Sequence, residues 1–342
     1  MANSYKKVVL SGYYGFDNFG DEAILHVLVE ELQKQNFDVT VFSKNPQKTL
    51  VKHHARAINT FSVLSVINTI RKSDVLISGG GSLLQDATSL KSLFYYLFVI
   101  FTALFFKKKV IIFAQGIGPI KNIFGQMLTK KLLKHCDYIT VRDEQSLFRV
   151  RGWGLQPELV NDPVWNVPLK TYMPLNRVGV QLRDWKRLSS LFLHSLAHQI
   201  ATNFADREIY IYSFQNSIDY DLCKKFEGYL VLENPQIKTT IIQCDDIDGI
   251  CQSVSNLEYM IAMRYHACLL ALKYGIKTLA LSYDEKVEKL AKRFDIPCSD
   301  LVDTKILEEN FEALKFLDNK KLALKAQNIS FDFTKIIEEI NK

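Results

Sequence analysis

The chain has 342 residues, with 43 Lys+Arg against 37 Asp+Glu and a formal net charge of +6. At about 150 residues per domain, that length predicts two domains, each able to bury its own core. A hydrophobic fraction of 48% with 23% charged residues excludes a mainly disordered chain, and 15 glycines with 8 prolines exclude collagen-like or low-complexity chains.

The polar start runs straight into a strand at Lys7–Ser11 with no apolar signal region, so a cytoplasmic chain is expected. A helix is predicted over 21–35, with Ile24, Leu25, Leu28 and Leu32 on one face. A strand at 38–42, a helix at 61–72 and a strand at 74–78 follow. Next come an apolar helix at 92–106, a buried strand at 110–114, a helix at 124–135, a strand at 138–141 and a short helix at 144–151. Strands separated by helix-length segments mean βαβ units and a mostly parallel sheet. A strand at 158–162 closes this half, and Pro163, Pro168 and Pro174 mark a turn-rich linker.

The second half repeats the style. Strands are predicted at 177–183, 208–213, 238–243, 257–263 and 277–282, with helices at 188–204, 220–232, 247–255, 265–274 and 285–294. The tail 306–342 reads as helices. The expected fold class is α/β, with two Rossmann-like domains facing a cleft. Residues 1–170 form the first and 171–342 the second, which carries the C-terminal helices.

Residues 93–106 (LFYYLFVIFTALFF) precede Lys107, Lys108 and Lys109. At 14 residues the run is short of the roughly 20 that span a bilayer. It reads either as a core helix or as a helix at a membrane surface, the contact then running through 92–109. The six cysteines form no CxxC pair, and buried thiols in a reducing compartment are expected. No zinc or magnesium spacing is present, so no metal is expected. The mild positive charge suits phosphates or acidic lipids, and without a basic stripe no nucleic-acid partner is expected.

In open α/β sheets ligands bind at the carboxyl ends of strands, so residues directly after strands are the candidates. Residues 12–22 (GYYGFDNFGDE) join the first strand to the first helix and offer Gly15, Asn18, Gly20 and Asp21. They match neither GxGxxG nor a P-loop. Residues 78–86 (SGGGSLLQD) offer Gly80, Gly81, Ser82 and Asp86, whose backbone N–H groups suit an anion or a sugar. Gln115 follows the buried strand. Arg142 follows the strand 138–141 and suits a carboxylate or phosphate, or a structural pairing with a neighbouring Asp. In the second half Arg264 and His266 open one helix and Lys286 opens the next. A His between Arg and Lys at paired strand ends reads as a site for a multiply anionic substrate.

At these residues the chain resembles the polysaccharide pyruvyl transferases, the CsaB type of bacterial cell-wall enzymes. The resemblance rests on GYYGFDNFGDEAIL (12–25), ISGGGSLLQD (77–86), AQGIGP (114–119), TVRDEQS (140–146), MRYHA (263–267) and SYDEKV (282–287), in that order. The family usually carries Leu where this chain has Tyr265. The resemblance implies a GT-B-like pair of Rossmann domains, phosphoenolpyruvate as co-substrate and no cofactor. It implies a pyruvate ketal on a sugar, here N-acetylmannosamine of a lipid-linked wall-polysaccharide unit, in a pathway that anchors surface-layer proteins. The enzyme would work in the cytoplasm or at the inner membrane face. By motif, the residues handling phosphoenolpyruvate fall on Arg142, His266 and Lys286, with Arg264 added from its position and His266 as the proton carrier. The glycine loops and Gln115 would then hold the acceptor. Two rival readings are a GT-B glycosyltransferase using a nucleotide sugar and a non-catalytic glycan-assembly protein on the same fold.

Overall fold

The computed structural model describes residues 5–87, 89–171, 173–186, 188–244 and 246–342. The chain divides into two units, Met1–Asn166 with Ser330–Lys342, and Val167–Ile329.

The first unit alternates β1 (Lys7–Ser11), α1 (Phe19–Lys34), β2 (Asp38–Ser43), α2 (Pro46–His53), β3 (Arg56–Asn59), α3 (Val63–Lys72), β4 (Val75–Gly79), α4 (Leu90–Phe105), β5 (Lys109–Gln115), α5 (Ile123–Leu133), β6 (Tyr138–Val141), α6 (Glu144–Gly152) and β7 (Glu158–Leu159). Every strand pairing is parallel, in the order β3-β2-β1-β4-β5-β6-β7. Val8 to Leu10, Val75 to Ile77 and Val110 to Ala114 are buried. Such continuous apolar runs suit strands covered by helices on both faces.

The second unit contains β8 (Arg177–Gln181), α7 (Ser190–Asn203), β9 (Glu208–Ser213), α8 (Asn216–Glu233), β10 (Lys238–Gln243), α9 (Ile247–Ser255), β11 (Tyr259–Ala262), α10 (Tyr265–Lys273), β12 (Lys277–Leu281), α11 (Glu285–Phe294), β13 (Cys298–Ser299), α12 (Thr304–Lys315) and α13 (Asn319–Gln327). Its parallel sheet runs β10-β9-β8-β11-β12-β13. In each sheet the strand order reverses beside the first strand, between β1 and β4 and between β8 and β11. That reversal opens a crevice at the carboxyl edge.

The predicted alternation is present, and the structure adds α2 with β3 to the first unit. The predicted strand 158–162 shortens to β7, because Asp162 opens a 3-10 turn at Pro163–Asn166 and its Oδ1 accepts from Val164 N at 3.0 Å. The tail departs from the expected 171–342 grouping. α14 (Thr334–Asn341) belongs to the first unit. Two lysines at the start of strands explain this. Lys6 Nζ donates to the Ile340 carbonyl and Lys109 Nζ to the Glu339 carbonyl, each at 2.6 Å, meeting the open end of the helix. Phe331 and Phe333 stack beside Phe113 of β5, at centroid distances of 4.9 and 5.9 Å. Lys109 therefore does not act with Lys107 and Lys108 as one surface triplet.

α4 answers the question left by its apolar sequence. Leu93, Tyr96, Leu97, Val99, Ile100 and Ala103 are buried in the first unit's core, whereas Phe101 and Phe105 are exposed. Among the described residues no helix is long and apolar enough to cross a membrane.

Candidate functional site

In the first unit the loop after β1 is bolted down before it can meet a ligand. The Tyr14 ring folds over Gly12, where a Cβ would stand 2.3 Å from it, and the phenol donates to the Gly79 carbonyl at 3.1 Å. Burial, with Asp21 and Glu22 adding to it, pushes the Tyr14 phenol pKa far up, so it stays a donor. Gly15 N donates to Glu22 Oε1 at 2.8 Å, and Glu22 Oε2 meets His53 Nε2 at 2.8 Å in a buried pair. Asn18 caps α1 through Gly20 N, which lies buried in the first turn.

Asp21 reaches the next loop. A Cβ at Gly81 would stand 2.4 Å from Asp21 Oδ1, and one at Gly80 would stand 2.5 Å from Ile24. Both positions have positive φ, +64° at Gly80 and +70° at Gly81, so only glycine lets the β4 loop lie this close to α1. Gln115 is fully buried and gives both its N–H bonds to Ser78, to the carbonyl at 2.9 Å and the hydroxyl at 3.0 Å. Its Oε1 is buried without a partner. The Gln115 carbonyl accepts from Arg142 N at 3.3 Å, and Arg142 Nη2 lies 3.4 Å from Ser82 Oγ. Arg142 Nη1 donates to Asp162 Oδ2 at 2.6 Å.

Asp21, Gly80, Gly81, Ser82, Gln115 and Arg142 thus lie together at the carboxyl edge of β4, β5 and β6. Arg142, expected among the donor-handling residues, keeps company with the acceptor candidates. Gly15, Asn18 and Asp86 are engaged in holding the loops. Asp86 accepts from Lys121 N and Asn122 N at 2.7–2.9 Å, bonds that hold its carboxyl below the usual range. It fastens the loop after β5.

In the second unit β11 and β12 are neighbours, so His266 in the first turn of α10 and Lys286 in the first turn of α11 open adjacent helices at one edge. Both are half-buried. The Tyr265 and His266 rings meet edge to face at 5.1 Å. Asp284 caps α11 through the N–H groups of Lys286 and Val287, at 3.1 Å each. Arg264 is more engaged than its position after a strand suggests. Its Nε and Nη2 fork onto fully buried Asp219 at 2.8 and 2.7 Å, and Nη2 also reaches Gln215 at 3.3 Å. A bidentate pair of this kind fixes the guanidinium plane at the edge.

Arg183 is a further candidate, one that the sequence pattern does not single out. It follows β8, the strand next to β11 at the reversal point. Its guanidinium lies over the Trp185 ring at 5.4 Å and the Tyr283 ring at 5.2 Å, and Nη1 donates to Tyr283 Oη at 2.9 Å. Its Nε is buried without a partner. Burial first, then Asp284, raises the Tyr283 phenol pKa, so that hydroxyl stays protonated. The signal was present, an Arg at the end of a strand, but the strand predicted at 177–183 absorbed it. Among the described residues no group of three or more His, Cys, Asp or Glu could hold a metal ion.

The family model of the polysaccharide pyruvyl transferases matches residues 18–285. Among curated proteins nothing matches the chain. Solved structures resemble it over its whole length. One described as a UDP-N-acetylglucosamine 2-epimerase from Listeria monocytogenes has a TM-score of 0.70 at 12% identity, covering 99% of this chain and 96% of that one. The UDP-GlcNAc 2-epimerase from Neisseria meningitidis bound to UDP-GlcNAc has a TM-score of 0.63 at 12% identity, covering 98% and 99%. An alpha-glucosyltransferase in complex with UDP and DNA has a TM-score of 0.60 at 11% identity, covering 99% and 100%. At such identities the likeness is one of fold, two parallel-sheet α/β domains of the GT-B kind.

Proposed function

The chain belongs to the polysaccharide pyruvyl transferase family, which makes it a transferase of pyruvyl groups to polysaccharide; from there we propose that it is a ketal-forming enzyme of the CsaB type. It takes the enolpyruvyl group from phosphoenolpyruvate, with no cofactor and no metal. It places that group on two hydroxyls of a sugar, N-acetylmannosamine of a lipid-linked wall-polysaccharide unit, at the inner face of the membrane. The observation that carries this reading is the pairing of His266 and Lys286 in the first turns of helices on adjacent strands, beside Arg264 and Arg183.

Phosphoenolpyruvate brings a phosphate and a carboxylate, which Lys286 and the two arginines neutralise. A proton goes to C3 of the enol, and C2 becomes oxocarbenium-like. The first sugar hydroxyl adds to C2 and loses its proton. The bond from C2 to the phosphate oxygen then breaks, and phosphate leaves with the electron pair. The second hydroxyl adds to C2 and closes the ketal. One proton is consumed at C3 and two are released by the hydroxyls, so one remains for buffer or phosphate. His266 is the group that delivers and collects these protons. The cations stabilise charge as it develops on the departing phosphate. Arg142, with Ser82, Asp21 and the glycine backbone, orients the hydroxyls of the acceptor.

The test is incubation with phosphoenolpyruvate and lipid-linked or soluble N-acetylmannosamine acceptors, following inorganic phosphate and the mass of the glycan. Phosphate release coupled to an acid-labile ketal is expected. A glycoside formed with release of a nucleotide overturns the reading in favour of a glycosyltransferase.

A further inference from the structure

One face of the first unit differs chemically from the rest of the chain. The crossovers through α3, α4 and α5 step the same way across the sheet, so right-handedness places the three helices on one face. α4 packs against both of its neighbours. None of the three contains Asp or Glu. Residues 61–135 hold ten Lys or Arg against two acids, a net +8, whereas the whole chain carries +6. The positive charge of the molecule is therefore concentrated in this segment, and the remainder is slightly acidic.

The outward sides of α4 and α5 are largely apolar and basic. On α4, Phe94, Phe98, Phe101 and Phe105 recur at i, i+4, i+7 and i+11, one line on a helix. Phe94 and Phe98 are half-buried, and Phe105 is 69% exposed. On α5, Ile123, Met127, Lys130 and Lys131, with Lys134 at the C-cap, share the side opposite the buried Thr129, Leu132 and Leu133. Ile123 is 82% exposed, and Phe124 sits 6.1 Å from Phe94, which joins the two helices into one apolar surface. Exposed aromatics of this extent mark an interaction surface.

The geometry points to a membrane-docking face: α3, α4 and α5 seat the first unit on an anionic lipid bilayer. The phenylalanines enter the boundary between head groups and acyl chains, and the lysines meet lipid phosphates. Charge complementarity selects this occupant. Phenylalanine with lysine and no acid is the composition of an interfacial helix surface. The purpose of the contact rests on the reading of the acceptor as lipid-linked, but the contact itself does not.

The test uses the whole protein and vesicles without donor or acceptor, so its outcome is separate from that of the transfer assay. Co-sedimentation is measured with vesicles of phosphatidylglycerol mixed with phosphatidylcholine, and with phosphatidylcholine alone. Binding is expected only to the anionic vesicles, and it should weaken with salt. Lys130→Gln, Lys131→Gln and Lys134→Gln together should lower the partition coefficient about 100-fold. Ile123→Ser with Phe124→Ser should lower it about tenfold or more. Lys130, Lys131 and Lys134 lie at the end of α5 away from the carboxyl edge, so activity on a soluble acceptor should be unchanged in the lysine variant. Phe316→Ser, on an exposed aromatic of the second unit, is the control and should bind as the wild type does. Failure of the wild type to bind anionic vesicles at low salt overturns the proposal. So does equal loss with Phe316→Ser. A wild-type dimer in light scattering that dissociates with Ile123→Ser and Phe124→Ser would assign the face to a second copy instead.

Discussion

Arg142 Nη1 donates to Oδ2 of Asp162 at 2.6 Å, and the two side chains are 8% and 1% exposed. Removing one member of such a pair leaves a buried charge without its counter-charge, at a cost of about 3–5 kcal/mol. Arg142→Ala should therefore lower thermal stability as well as activity. Arg142→Ala with Asp162→Ala removes both charges and should recover much of that stability. If Arg142 serves the substrate, activity of the double variant stays at least about tenfold below wild type, the scale of one lost charge-assisted hydrogen bond. Calorimetric melting and steady-state rates, measured on both variants, separate the two effects. Recovery of activity along with stability would reduce Arg142 to a structural residue.

Lys286→Ala acts on a half-buried side chain in the first turn of α11. It should weaken phosphoenolpyruvate binding by about 1.5–3 kcal/mol. Isothermal titration with the donor alone reads this directly. Unchanged affinity would take Lys286 out of the donor site.

Arg183 makes a sharper demand on geometry. Its planar guanidinium lies over two aromatic rings and donates to Tyr283 Oη at 2.9 Å. Lysine keeps the charge but loses the fork and the stacking. Arg183→Lys should raise the KM for phosphoenolpyruvate roughly tenfold, the scale of one hydrogen bond to a charged group. Tyr283→Phe removes only the hydroxyl and should give a smaller rise. Wild-type KM in both variants would make this cluster a packing feature of the β8 edge.

Much of this was legible in the chain and some was not, for identifiable reasons. Buried parallel strands announce themselves as apolar runs, so β1, β4, β5 and β11 were readable. β3 (Arg56–Asn59) is only four residues long with exposed Arg56 and Asn59 at its ends, and α2 is only eight residues long, so neither rises above its surroundings. The strand-end rule picks out Arg142, His266 and Lys286, each of which stands at the carboxyl edge of its sheet. The same rule missed Arg183 because the strand was drawn two residues too long. Asp219 was beyond reach. It sits inside α8, 45 residues from Arg264, and only the fold joins them. The return of α14 to the first unit is likewise a long-range fact, set by the carbonyls that meet Lys6 and Lys109.

The buried His53–Glu22 pair links stability to pH. Burial holds the His53 pKa below its ordinary 6.5, while the hydrogen bond to Glu22 pulls the other way. With the folded pKa lowered, the unfolded chain takes up the proton first. The stabilisation is thus complete above about pH 6.5 and is lost as pH falls below it. The His26 ring, 6.0 Å away, adds to the cost of a charge there. The melting temperature of the wild type should fall more steeply below this pH than that of His53→Gln, which keeps a donor to Glu22 but cannot be protonated. Parallel curves for the two proteins would place the acid sensitivity elsewhere.

His266 is the residue on which the proposed chemistry turns. It stands in the first turn of α10, two residues after Arg264, whose plane is fixed by Asp219. Lys286 opens the adjacent helix, so an anionic donor at this edge would lie within reach of a cation and an imidazole together. Asp284 is committed to capping α11. That leaves Tyr265 and Glu285 as the nearest rivals for moving a proton to C3. Glutamine in place of His266 preserves approximate size and a hydrogen-bonding end but cannot shuttle a proton. His266→Gln should fold and bind phosphoenolpyruvate nearly as the wild type does, with turnover down about 100-fold or more, the usual share of general acid–base catalysis. Deuterium uptake into the ketal methyl from heavy water gives a second readout, since every product carries one solvent proton at C3. Slow turnover with intact donor affinity assigns the proton to His266. Turnover near that of the wild type would move the assignment to Tyr265 or Glu285, and Tyr265→Phe and Glu285→Gln would then be compared by the same two measurements.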